Sequence, residues 1–230
     1  MPPMLGTVGA GAARGFGETV QTKPPVAGYL AWYDTTSVVG TNWYDKSGNG
    51  YTATIAGATL TATSGNGATG LTTALYGSSA ATTQSVTWPV GILPATYTLF
   101  HVTRYTGTTN ARIYTGADAN WLSGHWSNLS GQYYHSGWIT NNLTSYYANN
   151  WFITTDLNTI VRTNGIARTG GAGAGAPSYA RLAINTSNWS GELSTWMTVE
   201  CIVYNTNLSA GNYALVESYL ANKYGITLNT

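Results

Sequence analysis

Ionisable side chains are scarce: Asp, Glu, Lys and Arg make up 7% of the 230 residues, against roughly 25% in an ordinary soluble domain. The surface must therefore be built mostly from Thr, Ser, Asn, Gly and Tyr. The six Arg and three Lys are scattered and the net charge is +1. No basic cluster is available to displace counterions from a phosphate backbone, so nucleic acid is not an expected partner. Near-zero charge also removes the self-repulsion that keeps molecules apart. That suits a subunit packed in an assembly, and equally a weakly charged sugar-binding domain.

Cysteine is limited to Cys201, which excludes an internal disulfide and reads as a buried, inert thiol. No apolar run approaches membrane-spanning length, and the first residues lack a basic patch followed by an apolar core, so neither a membrane nor a secretory leader is expected.

What is present is clearest from Gly191 to Ile226, GELSTWMTVECIVYNTNLSAGNYALVESYLANKYGI. Thr195 to Tyr204 alternates, with Met197, Val199, Cys201 and Val203 expected on one face and Trp196, Thr198, Glu200 and Ile202 on the other. The period then changes. Ser209 can cap a helix in which Tyr213, Val216 and Leu220 recur at helical spacing, Leu208 and Tyr213 stand where a hydrophobic staple belongs, and Gly225 supplies the stop. Near the start, Leu30 to Gly50 reads LAWYDTTSVVGTNWYDKSGNG, a strand followed by a tight turn in which Gly48 and Gly50 can take positive φ.

These two landmarks resemble the closing and opening strands of laminin-G-like, concanavalin-A-like jelly-roll domains, the second through the family's W-x-D-x-SG-x-G turn. The resemblance covers roughly residues 28 to 230. It implies an all-β, antiparallel two-sheet jelly-roll sandwich with one short C-terminal helix, and a hydrogen bond within the sheet for Glu200. It names no reaction.

Residues 1–27 differ in composition. Gly and Ala dominate, apolar residues are isolated, and Pro24-Pro25 ends the stretch. Such a segment buries too little apolar surface to offset its ordering entropy, so it reads as an extended arm, with Met4, Leu5, Arg14 and Phe16 available to dock into a neighbour. Residues 28–230 form the domain. Tyr97 to Tyr105 alternates as a strand, and Asn164-Gly165 reads as a primed two-residue hairpin turn.

Rings concentrate between Tyr114 and Trp151: Trp121, Trp126, Tyr133, Tyr134, Trp138, Tyr146 and Tyr147 lie among Asn and Ser. Aromatic faces beside amides and hydroxyls are what sugar binding requires. The other reading is that these rings fill the core. Adjacent tyrosines on a strand point to opposite faces, so one of each pair should face outward.

Metal and catalytic signals are weak. Asp45, Ser47, Asn49 and Gly50 imitate the start of a calcium loop, but Ala56 stands where a bidentate acid is needed. His125, His135 and Asp118 match no zinc spacing, and His101 reads as a packing residue. The acids are Glu18, Asp34, Asp45, Asp118, Asp156, Glu192, Glu200 and Glu217. Glycoside hydrolysis needs two carboxylates about 5 to 10 Å apart, and the E-x-D-x-x-E run of related glucanases is absent. No G-x-S-x-G elbow occurs either. The expectation is therefore a module without enzymatic activity or cofactor. One form is a virion component whose arm docks into neighbouring subunits. The alternative is an extracellular, lectin-like module that binds polysaccharide.

Overall fold

A computed structural model describes residues 21–71, 73–140, 149–168 and 181–229. Along them run β1 (Tyr29–Asp34), β2 (Val38–Val39), β3 (Asn42–Trp43), β4 (Ala53–Ala56), β5 (Thr59–Ala62), β6 (Thr73–Gly77), β7 (Ser85–Thr87) and β8 (Thr98–Tyr105). Then come β9 (Tyr114–Gly116), β10 (Trp121–Trp126), β11 (Leu129–His135), β12 (Phe152–Leu157), β13 (Ile160–Thr163), β14 (Ile166–Arg168), β15 (Leu182–Ile184), β16 (Trp196–Tyr204) and helix α1 (Ala210–Tyr224).

The strands form two antiparallel sheets. One has the order β14-β13-β12-β8-β16-β6-β5, with β1 also paired to β16, and the other runs β11-β10-β9-β15-β7-β4-β3-β2. Among the described residues this is an all-β jelly-roll sandwich with one α-helix, which follows the last strand. Between the sheets lies a core rich in large rings, including Tyr33, Trp43, Trp88, Tyr114, Trp121 and Trp196. A second apolar layer, with Phe100, Val102, Ile153 and Ile202, separates the first sheet from Val216 and Leu220 of α1. Each such side chain contributes about 1.5–3 kcal/mol by leaving water.

β16 departs from simple alternation. Its pairing with β8 jumps from Thr198↔Thr103 to Glu200↔Val102, leaving Val199 as the extra residue of a β-bulge. A bulge shifts the side-chain period by one. Trp196, Cys201 and Val203 consequently enter the layer between the sheets, while Met197, Val199, Ile202 and Tyr204 pack beneath α1. The expected faces are thus corrected: Met197 and Val199 share a side with Ile202, not with Cys201. Burial raises the Cys201 thiol well above its ordinary value, which keeps it protonated.

The local signals around α1 act as written. Ser209 Oγ accepts the Asn212 N–H, and Gly225 takes the left-handed conformation (φ 64°) and returns its N–H to the Ala221 carbonyl. A side chain at Gly225 would also meet the Thr69 and Gly70 backbone at under 3 Å. The β13–β14 hairpin turns on Asn164 (φ 47°) and Gly165 (φ 83°), the pair of positive angles that a primed turn demands.

Asp45 anchors the turn after β3. Its Oδ1 accepts the N–H groups of Trp32 (3.0 Å) and Ser47 (2.8 Å), and its Oδ2 accepts the Ser47 hydroxyl (2.7 Å) and the Tyr51 N–H (3.2 Å). Both oxygens are engaged by protein donors, which explains the motif's acid as a backbone clamp. The arm residues Met4, Leu5, Arg14 and Phe16 lie outside the described residues, as do Tyr146 and Tyr147. At the arm's end, the Val26 carbonyl accepts the Tyr204 hydroxyl at 2.8 Å.

Candidate functional site

The β10–β11 hairpin turns through Ser127 (φ 50°) and Asn128 (φ 67°), with Trp126 paired to Leu129 across the turn. Two positive angles again make a primed turn, and Trp126 is thereby held at the hairpin's tip. Two loops are stitched together alongside. Thr195 N–H donates to the Thr109 carbonyl (3.0 Å), Arg112 N–H to the Glu192 carbonyl (3.1 Å), and Asn128 N–H to the Asn110 carbonyl (2.7 Å). Together they enclose an open pocket of about 360 Å³, lined among others by Thr108, Asn110, Trp126, Asn128 and Glu192.

Glu192 is the charged group of this lining. Its Oε2 accepts from the Arg112 Nε and from Trp126 Nε1 (3.2 Å), so the carboxylate and the indole fix each other's orientation. Arg112 stands behind them. Its side chain is 7% exposed, against 39% for Glu192. It also donates to Asn120 Oδ1 at 2.9 Å and lies 4.6 Å from the Trp189 ring centre. The resulting site is a part-exposed indole face beside a preorganised acceptor and several amides and hydroxyls.

The aromatic residues singled out from the sequence separate into two groups. Trp126, Trp138 and Tyr134 are part-exposed and form a row: Trp126 and Trp138 ring centres are 4.8 Å apart, and Trp138 and Tyr134 5.2 Å, both edge to face. Trp121 and Tyr133 are fully buried and are corrected to core residues. Trp121 donates its indole N–H to the Tyr97 hydroxyl (3.0 Å) and stacks on His135, while the Tyr133 hydroxyl donates to the Arg162 carbonyl (2.6 Å). The alternation along β11 decides this, turning Tyr133 inward and its neighbour Tyr134 outward. Arg112, Asn110 and Trp189 were not singled out in the sequence, and Glu192 entered there only as one of the acids considered for hydrolysis. The signal available for Glu192 was that it precedes the closing strand, which does not show what stands opposite.

His101 and His125 are neighbours, the Nδ1 atoms of both approaching Thr103 Oγ1 at 2.9 and 3.5 Å, while His135 pairs with Asp156. His101 also stacks on Tyr114 at 4.0 Å between ring centres, and His125 packs against Tyr105. His135 Nε2 lies 3.0 Å from Asp156 Oδ2, whose other oxygen accepts from Tyr97 (3.1 Å). Asp118 lies elsewhere, accepting the Arg181 N–H. Among the described residues no group of three or more His, Cys, Asp or Glu side chains is placed to hold a metal. Two acids distant in sequence do meet: Asp34 and Glu200 are register partners on β1 and β16, both bound by Lys223, at 3.3 and 2.6 Å. They are buried, not set across an open groove.

No protein-family model matches the chain, and no curated protein matches it. Solved structures do. The Trypanosoma rangeli sialidase in complex with sialic acid superposes with TM-score 0.57 at 15% identity, over 86% of this chain and 33% of that one. Domain 4 of AbnA, a GH43 extracellular arabinanase from Geobacillus stearothermophilus, in complex with arabinotriose, gives TM-score 0.58 at 15% identity, over 84% of this chain and 98% of that one. The binding domain of Paraclostridial Mosquitocidal Protein 1 gives 0.52 at 11% identity, covering 84% and 52%. The likeness is one of fold. The chain spans about a third of the sialidase's length.

Proposed function

We propose that the protein is a non-catalytic, laminin-G-like glycan-binding module, with the pocket walled by Trp126 as its sugar site. The observation that carries this is the part-exposed Trp126 indole fixed by the Glu192 carboxylate. The apolar face of a sugar ring stacks on the indole while its hydroxyls reach the carboxylate and the neighbouring amides. The arabinanase domain in complex with arabinotriose and the toxin's binding domain support the reading, because they bring the same fold together with a bound sugar in one case and a binding role in the other. The expected result is that Trp126→Ala weakens retention on a glycan array roughly 10- to 100-fold, the loss typical of a central aromatic anchor, with an unchanged far-UV spectrum. Undiminished retention, or no glycan bound by the wild-type protein on a broad array, would refute it.

The setting belongs to the same proposal. A charge-poor module carried on a virus or phage particle by residues 1–27 would hold that particle to polysaccharide. The 7% content of charged residues and the Gly/Ala-rich composition of residues 1–27 support this setting. Deleting residues 1–25 should leave a folded domain, seen as an unchanged melting transition, that no longer incorporates into particles; normal incorporation would remove the arm from the scheme.

A further inference from the structure

The pocket's charge distribution bears on which sugars it can take. Arg112 is buried, its Nε and Nη1 already donate to Glu192 and Asn120, and it is not among the residues that line the pocket. The remaining lining consists of Thr, Asn, Ser, Gly, Ala and Leu beside Trp126. Glu192 is thus the charged residue of the lining, its charge paired with Arg112 behind it, and what it turns toward a ligand is a carboxylate oxygen. Both of the described bonds to Glu192 end on Oε2, so Oε1 has no hydrogen-bond donor among the described residues. A carboxylate whose direction is already set, with one oxygen open, accepts hydrogen bonds from hydroxyls and repels another carboxylate. Its backbone is held too, the N–H donating to the Trp189 carbonyl (2.8 Å).

The ring row adds length. From Trp126 at the pocket wall, Trp138 and Tyr134 follow at centre-to-centre steps of 4.8 and 5.2 Å. These part-exposed rings extend the aromatic surface beyond the pocket and carry no charge of their own.

We infer that the site, taking the glycan-binding reading as given, selects neutral, hydroxyl-rich oligosaccharides and rejects sugars bearing carboxylates, with Glu192 as the discriminating residue. Specificity here comes from the repulsive element as much as from the attractive one. The test is isothermal titration calorimetry of the full chain with two sets of ligands. Arabino-, xylo- and cello-oligosaccharides form the neutral set, and sialyllactose and oligogalacturonates the acidic set. Wild-type protein should bind a member of the neutral set at least about tenfold more tightly than any acidic ligand. Glu192→Gln should weaken neutral binding roughly 10- to 100-fold, the loss expected when a charged acceptor is removed, and should narrow the gap between the sets. The melting curve of the variant shows whether the loop has stayed folded, and Trp126→Ala serves as the second variant.

Tighter binding of an acidic sugar, abolished by Trp126→Ala, would overturn the selectivity while leaving the glycan site standing. Neutral binding unchanged by Glu192→Gln in a folded variant would overturn the role given to Glu192. Absence of binding by both sets would overturn the selectivity and the glycan reading together.

Discussion

Glu200→Ala is expected to lower the free energy of unfolding by about 3–5 kcal/mol, the cost of breaking a buried charge network by removing one partner, and the melting temperature by about 10 °C. Glu200 is fully buried on β16. Its Oε1 accepts from Trp32 Nε1 (2.8 Å) and the Tyr219 hydroxyl (2.9 Å), and its Oε2 from Lys223 Nζ (2.6 Å) and the Tyr224 hydroxyl. One donor belongs to β1 and three to α1, so this carboxylate fastens the helix to the sheet. Without it, the donors on Trp32, Tyr219 and Tyr224 lose their acceptor in a region closed to water, and each unsatisfied group costs about 1–3 kcal/mol. Urea unfolding at pH 7.5 measures the effect. A loss below about 1 kcal/mol, the scale of an ordinary exposed ion pair, would show that apolar packing alone holds the helix.

Between pH 7.5 and pH 5 the protein is expected to lose about 4 kcal/mol of stability, from His101 and His125 together. Both imidazoles are fully buried between the sheets. Burial pulls His125 down to about 3. It also pulls His101 well below the usual value, helped by the neighbouring His125 and opposed by the Ser123 backbone. Thr103, Tyr105, Tyr114 and Phe152 surround the two rings, and neither ring has a described carboxylate as a hydrogen-bond partner.

The sign follows from proton counting. Above about pH 6.5 neither state protonates these rings and they cost nothing. As the pH falls below 6.5 the unfolded chain takes up protons that the folded chain refuses, so stability drops by about 1.4 kcal/mol per histidine per pH unit. For His125 the drop continues until the folded-state value near 3 is reached.

Asp34 acts in a lower window. Burial opposes its ionisation, but hydrogen bonds from Lys46 and Thr36 and the charge of Lys223 hold its carboxyl below the usual range. Its contribution is therefore present above about pH 4 and fades below it. Urea midpoints at pH 7.5, 6 and 5 test the histidine window. His125→Phe keeps the edge contact with Tyr105 and should roughly halve the slope. A flat profile down to pH 5 would contradict the burial of both rings.

Elements specified by neighbouring residues could be read before any coordinates. Ser209 and Gly225 bound α1 because a cap and a left-handed stop are properties of a few consecutive residues. Asn164-Gly165 fixes the β13–β14 turn for the same reason. The alternation expected from Tyr97 to Tyr105 is present in β8, with Phe100 and Val102 packing on the side opposite Leu99 and Tyr105. The bulge at Val199 was not legible. It arises from how β16 pairs with β8, and a single extra residue exchanged the sides on which half of the strand was expected.

The aromatic region shows the same division. Its composition pointed to rings beside amides, and the pairing of Tyr133 with Tyr134 required that one face outward. Which rings were available depended on sheet order, since Trp121 and Tyr133 cover Tyr97, His135 and Thr163 inside the sandwich while Trp126 stands at a hairpin tip.

By itself, the sequence determined a charge-poor chain of alternating strands, tight turns and a capped closing helix, because side-chain period, turn residues and caps act over a few positions. The two-sheet sandwich was what its resemblance to laminin-G-like domains implied. Only the tertiary structure decided that Glu192 meets Trp126 across 66 residues and that Glu200 meets Trp32 across 168. Hydrogen-bond partners so distant along the chain are chosen by strand order and register, and local propensity carries no record of either.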